Sequence, residues 1–270
     1  MSTTKKNTSS KKKTTTAKKE ASKAPDTTQE NEQVDISIVI PIYNEEGILS
    51  ASVADLTEKL AADESFQYTY ELILSENGST DSTVEVARKL KERHPELRLL
   101  HSSEPNYGLA MRRGILSARG RIVICDEIDL CDTDFYRRAL KKIEEEGYDL
   151  VVGSKALDKS YDKRPPFRKL ATFVLNSLFR IFLDFHGTDT HGLKAFKKDR
   201  LLEVVNRCLV DKDLFASEFV IRAERMRFRM TEIPVEVIEK RPPSINLIRR
   251  VPNVLKNIGR LVWVIRVVDR

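Results

Sequence analysis

The chain has 270 residues, with 47 Lys plus Arg against 41 Asp plus Glu and a net charge of +6. That length suits one substantial α/β domain with appendages, and three widely spaced cysteines (Cys125, Cys131, Cys208) exclude a disulfide framework or a zinc pattern. No stretch nears the ~18 apolar residues of a membrane span, and the N-terminus lacks the apolar core of a secretion signal, so a reducing, cytoplasmic compartment is expected.

The charge is uneven. Residues 1–33 carry +4 and residues 240–270 carry +7, which leaves −5 for 34–239. The first 33 residues are Lys, Thr, Ser and Ala with almost no large apolar side chains. Such a segment cannot offset its ordering entropy, so a disordered tail is expected. Basic ends point to an anionic surface as partner. No nucleic-acid recognition motif accompanies them, so nucleic acid is not expected.

From Asp35 onward strands and helices alternate. An apolar strand over 36–42 leads into Tyr43-Asn44-Glu45-Glu46 and a helix over 45–62. A second strand, 70–75, ends in Glu76-Asn77-Gly78-Ser79-Thr80-Asp81, with Ser79 or Thr80 marking the start of a helix over 81–93. Strand 97–101 follows, then a helix through Ala118 that Gly120 ends. Strand 121–125 runs into Asp126-Glu127-Ile128-Asp129, helix 133–146 stops at Gly147, and strand 149–153 comes next. This order predicts a parallel sheet with helices on both faces. In such sheets ligands bind outside the carboxyl ends of the strands, where these polar loops fall.

The second half predicts an apolar helix over 167–183, a short strand over 191–196, helices over 199–207 and 215–227, and a last strand over 229–237. Val251, Val254, Leu255, Ile258, Leu261, Val262 and Ile265 then recur at helical spacing, with Arg249, Arg250, Lys256 and Arg260 mostly opposite. This is an amphipathic basic helix. It suits either a membrane interface or a place against the domain; Trp263 and the arginines favour the interface.

Clustered carboxylates at a strand end, here Asp126, Glu127 and Asp129, can hold Mg²⁺ or Mn²⁺ through oxygen and so bridge a diphosphate. Acidic residues also commonly end strands as solvated loops. Of the four histidines, His94 lies on a polar helix end, His101 ends an edge-like strand and His186 is in a loop. Only His191 is in a motif, where a structural role fits as well as a catalytic one. Lys155, Lys163, Arg164 and Arg168 form a basic group suited to phosphate.

The successive segments Ile38-Val39-Ile40-Pro41-Ile42-Tyr43-Asn44-Glu45-Glu46, Glu76-Asn77-Gly78-Ser79-Thr80-Asp81, Asn106-Tyr107-Gly108 through Gly120, and Glu127-Ile128-Asp129 resemble the nucleotide and metal loops of family 2 glycosyltransferases. The likeness runs from about Ile36 to Ser244. Gly153-Ser154-Lys155, Arg168 to Thr172, Asp189 to Phe196, Glu218, Ile233-Pro234-Val235 and Arg241 to Ser244 bring it nearest to the dolichyl- or polyprenyl-phosphate mannosyl- and glucosyltransferases. The resemblance implies a GT-A, Rossmann-like, mostly parallel sheet over 34–244, between the disordered tail of 1–33 and an amphipathic helix in 245–270.

It implies that Pro41, Tyr43, Asn44 and Glu45 line a nucleoside pocket, with Glu76 and Asn77 by the base and ribose and Asp126 beside them. Glu127 and Asp129 would hold the metal and diphosphate as the catalytic pair. Lys155, Arg168 and Thr172 would bind the acceptor phosphate. The implied reaction is metal-dependent, inverting transfer of mannose or glucose from a nucleoside diphosphate sugar to a polyprenyl or dolichyl phosphate, peripherally at a membrane. A separate membrane subunit is a further partner that the resemblance would allow. Three departures stand out: Glu76-Asn77 for two Asp, Glu127 for the first Asp of Asp-x-Asp, and Cys131 where such enzymes often place Gln. Two alternatives remain: a sugar-hydroxyl acceptor, for which Asp189 would be the base, and a catalytically inactive scaffold or nucleotide sensor.

Overall fold

The computed structural model describes residues 1–2, 34–157, 166–210, 214–236 and 247–268. The expected tail from residue 3 to 33, the segment holding Lys163 and Arg164, and Arg241 and Ser244 lie outside the described residues. In chain order the elements are β1 (Ile36–Ile42), α1 (Leu49–Ala62), β2 (Tyr70–Glu76), α2 (Thr83–Arg93), β3 (Leu97–Leu100), α3 (Tyr107–Ser117), β4 (Ile122–Cys125) and α4 (Thr133–Glu144). Then come β5 (Leu150–Ser154), α5 (Pro166–Leu183), β6 (Lys194–Lys197), α6 (Lys198–Arg207), α7 (Phe215–Arg225), β7 (Met230–Pro234) and α8 (Leu247–Trp263), which runs into a π-helical turn, Val264–Val268.

The early strands are continuous apolar runs because helices cover both faces. Ile36, Ile38, Ile40 and Ile42 of β1 share one core with Leu49, Val53 and Leu56 of α1 and Phe135, Tyr136 and Leu140 of α4. Val39, Ile73 and Val123 share the opposite core with Met111 and Ile115 of α3, Leu201 of α6 and Phe219 of α7.

Seven strands form one sheet in the order β3-β2-β1-β4-β6-β5-β7. All pairs are parallel except those of β6, which runs antiparallel to both β4 and β5. After α5 the chain re-enters the sheet at the carboxyl edge, so β6 descends. Its first residue, Lys194, pairs with Cys125, the last of β4. The loop before β6 is thereby carried to the carboxyl ends of β4 and β5. The order reverses at β1, which has β2 on one side and β4 on the other; this switch point is where an open α/β sheet leaves a crevice.

One close approach fixes that loop. A Cβ on Gly192 would lie 1.7 Å from the Gly153 carbonyl oxygen, so no side chain fits there.

The C-terminal helix differs from the favoured expectation. Ile258 and Leu261 of α8, with Ile265, are buried in the second core beside Phe219 and Val220. The described part of the apolar stripe from Ile258 onward therefore covers the domain, while Leu255, Trp263, Val267 and Val268 remain exposed. A larger exposed apolar face lies on α5: Leu170, Val174 and Ile181 fall on one side of the helix, flanked by Phe173 and Phe182. Phe173 is 69% and Ile181 72% exposed, opposite Phe179 and Leu183 in the core. Arg266 Nε donates to the Phe182 carbonyl at 3.0 Å and joins the two exposed regions. Among the described residues no helix is long and apolar enough to cross a membrane.

Candidate active site

The loops after β1 and β2 are laced together. Asn44, at φ 55°, donates its amide to Ser79 Oγ (3.0 Å), and its Oδ1 accepts from the Thr80 amide (2.8 Å). The Glu45 amide donates to Thr83 Oγ1 (2.7 Å), the Glu46 amide to Asp81 Oδ2 (3.3 Å), and the Ser82 amide to Glu46 Oε2 (2.8 Å). These bonds hold residues 45–48 outside the helix, so α1 begins at Leu49 rather than at 45. Tyr43 is exposed above this wall, and Pro41 is buried within β1.

Glu76 and Asn77 are buried and already engaged. The Ser79 amide donates to Glu76 Oε1 (2.5 Å), and His101 Nδ1 meets Glu76 Oε2. Burial opposes ionisation of Glu76, but the Ser79 contacts and His101 outweigh it and hold the carboxyl below its usual range. The backbone and side-chain amides of Asn77 both donate to the Ile42 carbonyl (3.2 and 3.0 Å). Both side chains therefore brace the ends of β1 and β2 and the loop that follows, and neither Glu76 oxygen is left free. The His101 contact was not expected from the sequence. The β2–β3 register, with Ser75 opposite Leu100, is the signal that places residues 76 and 101 side by side.

After β4, Asp126 is almost fully buried. Its Oδ2 accepts from Tyr136 Oη (2.6 Å) and the Asp132 amide (3.2 Å), and its Oδ1 from the Glu127 amide (2.6 Å). Burial pushes its carboxyl up to about 7 against those hydrogen bonds. Asp126 thus braces the loop and is spent as a ligand. Glu127 and Asp129 are half-buried. Burial raises Glu127, Lys155 lowers it, and Asp129 and Asp189 raise it further, so all four groups share one electrostatic neighbourhood. The Tyr107 phenol is likewise raised well above its ordinary value by burial first and then by Glu127 and Asp126, although the ring is partly exposed.

The loop before β6 completes the site. A small cleft is lined by Glu127, Asp132, Lys155, His191, Gly192 and Glu236, among others. Lys194 is buried beside it and donates to the Gly192 carbonyl (2.6 Å). Burial depresses its ammonium, and Cys125, Asp189 and Glu127 counteract that. Lys194 received no role from the sequence. Its alternation with Phe196 in a four-residue strand is the available sign: both fall on one buried face.

Of the expected acceptor residues, Lys155 lines the cleft. Thr172 is half-buried on α5 and is not among the lining residues, and the Arg168 side chain lies outside those described. Glu218 sits within α7 as a buried structural group, bonded to Arg222 Nε (2.8 Å) and to the Leu209 and Val210 amides.

Glu127 and Asp129 are hard oxygen donors and suit Mg²⁺ or Mn²⁺. No group of three or more His, Cys, Asp or Glu among the described residues could hold a metal ion. The donor set fits an ion held by two carboxylates and completed by substrate phosphates. Cys131 is buried, and its Sγ faces the Ile128 carbonyl (3.5 Å). Burial drives its thiol far up, so it offers no thiolate. Cys131→Ala should therefore leave the metal concentration required for turnover unchanged; a requirement raised as much as by loss of Asp129 would make the thiol part of the ion's coordination.

A mostly parallel sheet with carboxylates at its switch point defines the GT-A class of fold, and solved structures agree. Glucosyl-3-phosphoglycerate synthase from Mycobacterium tuberculosis, solved with UDP, matches with a TM-score of 0.61 at 20% identity over 85% of this chain and 80% of that one. Mannosyltransferase PcManGT from Pyrobaculum calidifontis, solved with GDP-Man and Mn²⁺, matches with a TM-score of 0.56 at 21% identity over 86% and 65%. Residues 37–202 match the model for glycosyl transferase family 2, and the chain belongs to that family of enzymes. Glycosyltransferase AglD of Haloferax volcanii is 29% identical over 88% of this chain. The dolichyl-phosphate beta-glucosyltransferase of Drosophila melanogaster is 30% identical over 78%. The chain spans 38% of the former's length and 69% of the latter's.

Proposed function

We propose that this protein transfers a hexose from a nucleoside diphosphate sugar to a polyprenyl phosphate at a cytoplasmic membrane face, with inversion. The observation that carries this reading is the juxtaposition of Lys155 with Glu127 on one cleft, with Asp129 close enough to act on the Glu127 carboxyl. Transfer to a lipid phosphate requires two anions side by side, an activated diphosphate and an acceptor phosphate. A carboxylate pair and a lysine facing each other suit that task. The named activity of the dolichyl-phosphate relatives supports the acceptor.

Glu127 and Asp129 would hold Mg²⁺ or Mn²⁺, which when bound neutralises charge developing on the departing diphosphate. Lys155 would draw the acceptor phosphate toward the anomeric carbon, with Arg168 as a second cation. The acceptor is already anionic and needs no strong base. Its oxygen forms the new bond to the anomeric carbon as the bond to the diphosphate breaks on the opposite side, which inverts the configuration. The laced walls after β1 and β2 would receive the nucleoside, with Tyr43 at the rim.

The deciding experiment is incubation with dolichyl phosphate in detergent and radiolabelled UDP-glucose or GDP-mannose, followed by organic extraction. Label in the lipid phase is expected. Label transferred only to water-soluble acceptors would sink the lipid reading, and no turnover with any donor would favour the inactive scaffold. Within that assay Arg168→Ala should raise the lipid phosphate needed for half-maximal rate, with little effect on the sugar nucleotide. Equal effects on both substrates would assign Arg168 to the donor or to the fold.

The exposed apolar face of α5, with Trp263 nearby in the chain's last helix, would meet the bilayer, where the prenyl chain resides; the basic ends would add attraction to anionic lipid. Phe173→Ser combined with Ile181→Ser should release the protein from anionic vesicles in a flotation assay. Raised salt should weaken attachment of the unaltered protein only in part, because apolar burial is not screened. Unchanged flotation of the double variant would remove α5 from the interface.

A further inference from the structure

The transfer reading gives His191 no task, yet the residue lines the cleft together with Lys155. Its backbone is fixed before any substrate arrives. Asp189 Oδ1 accepts from the His191 amide (2.8 Å) and the Gly192 amide (3.2 Å), Lys194 Nζ holds the Gly192 carbonyl (2.6 Å), and the Thr188 amide donates to Glu232 Oε1 (2.7 Å). Gly192 rests against the Gly153 carbonyl with no room for a side chain. The ring is fixed as well. Its Nδ1 lies 3.1 Å from Thr190 Oγ1, and that buried hydroxyl meets Ser217 Oγ at 2.8 Å. His191 is half-buried, so with its Nδ1 edge turned to Thr190, the opposite edge, which carries Nε2, is the one turned to the cleft.

The position of the ring in the sheet says which substrate group it meets. Neighbouring strands run β2-β1-β4-β6-β5. The loops assigned to the nucleoside follow β1 and β2, whereas His191 precedes β6 and Lys155 follows β5, on the other side of β4 and its Glu127. An acceptor that attacks opposite the departing diphosphate arrives on that side. Three carboxylates share the cleft without opposing it: the transfer reading commits Glu127 to the cation, Asp132 caps α4 through the Phe135 amide (2.9 Å), and Glu236 is exposed, where solvent and salt screen it. We infer that His191 Nε2 donates a hydrogen bond to a phosphate oxygen of the acceptor, beside Lys155, which makes it an acceptor-binding residue. This rests on the transfer reading and deepens it. The hydroxyl chain suits the role. With Ser217 donating to Thr190 and Thr190 donating to Nδ1, the proton of a neutral ring stays on Nε2, and no imidazolium is needed. A ring already held in place also loses little freedom when the phosphate binds.

The test is calorimetric titration of the full chain with farnesyl phosphate, a short prenyl phosphate, for the unaltered protein, His191→Leu and His191→Gln. In His191→Leu the Kd should rise roughly 10- to 100-fold, as expected for loss of a hydrogen bond to a charged group. Glutamine carries an amide nitrogen near the position of Nε2, so His191→Gln should recover most of the affinity; a merely structural role would be served no better by Gln than by Leu. UDP and GDP, titrated with Mn²⁺, should bind all three proteins alike. Ring-nitrogen NMR of the unaltered protein gives a second measurement that does not depend on a variant folding. Of the four histidines, one should shift at Nε2 with farnesyl phosphate and not with farnesol. Farnesyl phosphate binding that ignores residue 191, a shift at no histidine ring, or a loss that falls on UDP and GDP instead would each overturn the assignment. The lipid-phosphate reading fails differently, and takes the role of His191 with it: the unaltered protein would bind farnesyl phosphate no better than farnesol.

Discussion

Asp129→Ala should reduce sugar transfer by roughly 10³-fold or more while leaving the melting temperature near that of the unaltered protein. Asp129 is half-buried in the turn between β4 and α4, and it contributes to the field that raises Glu127. Asp126 cannot replace it, because both Asp126 oxygens are engaged by Tyr136 and by the Glu127 and Asp132 amides. On the proposed reading, losing one of two carboxylates would leave Glu127 alone against a diphosphate. The loss should fall on kcat, because charge on the leaving group develops in the transition state. Full turnover at saturating Mn²⁺ would remove Asp129 from the site.

The largest effect on stability is expected at the opposite edge of the sheet. Glu71 in β2 is fully buried, and four groups converge on it. Ser37 Oγ (2.6 Å) and the Arg119 amide (2.6 Å) donate to Oε1, while Arg98 (2.7 Å) and Arg119 Nε (2.9 Å) donate to Oε2. Glu71→Ala leaves those donors facing a cavity and should cost about 3–5 kcal/mol, a large share of a domain's stability. Burial raises the Glu71 carboxyl, but Ser37, Arg98 and Arg119 together bring it below its ordinary value of 4.5. A depressed carboxyl stabilises the fold fully above the unfolded pKa and loses that contribution as pH falls through the folded one. Glu71→Gln should therefore flatten the acid side of the stability curve, below about pH 4.5, as well as lower the plateau. Urea denaturation across pH 3–8 checks both. An unchanged acid limb would mean that the cluster acts through packing alone.

Most of the fold is legible in the sequence because the strands are long apolar runs bounded by polar turns. β1, β2 and β4 could hardly be anything else. Strand direction is a different matter. Lys194 to Lys197 is only four residues, and nothing in so short a run tells which way it crosses a sheet. The antiparallel course of β6 follows from where α5 returns the chain, a tertiary fact. With it goes the meeting of Asp189, His191 and Lys194 with Glu127 and Lys155. Similarly, the helical period of Ile258, Leu261 and Ile265 announces an apolar face, but periodicity is silent on whether lipid or protein covers it. Glu76 and Asn77 illustrate a third limit: polar residues at a strand end look available until the next loop and the neighbouring strand are seen to occupy them.

The lacing of the loops after β1 and β2 has a consequence for how this family's chains diverge. Asn44 answers Ser79 and Thr80, Glu45 answers Thr83, and Glu46 answers Asp81 and Ser82, so neither loop can drift by itself. A change at residue 44 that removes the Oδ1 acceptor strands the Thr80 amide, and one at 83 that removes the hydroxyl strands the Glu45 amide. Accepted substitutions should therefore arrive in pairs, about 35 residues apart in the chain, so these two stretches should be inherited as a unit even where the helices between them vary freely.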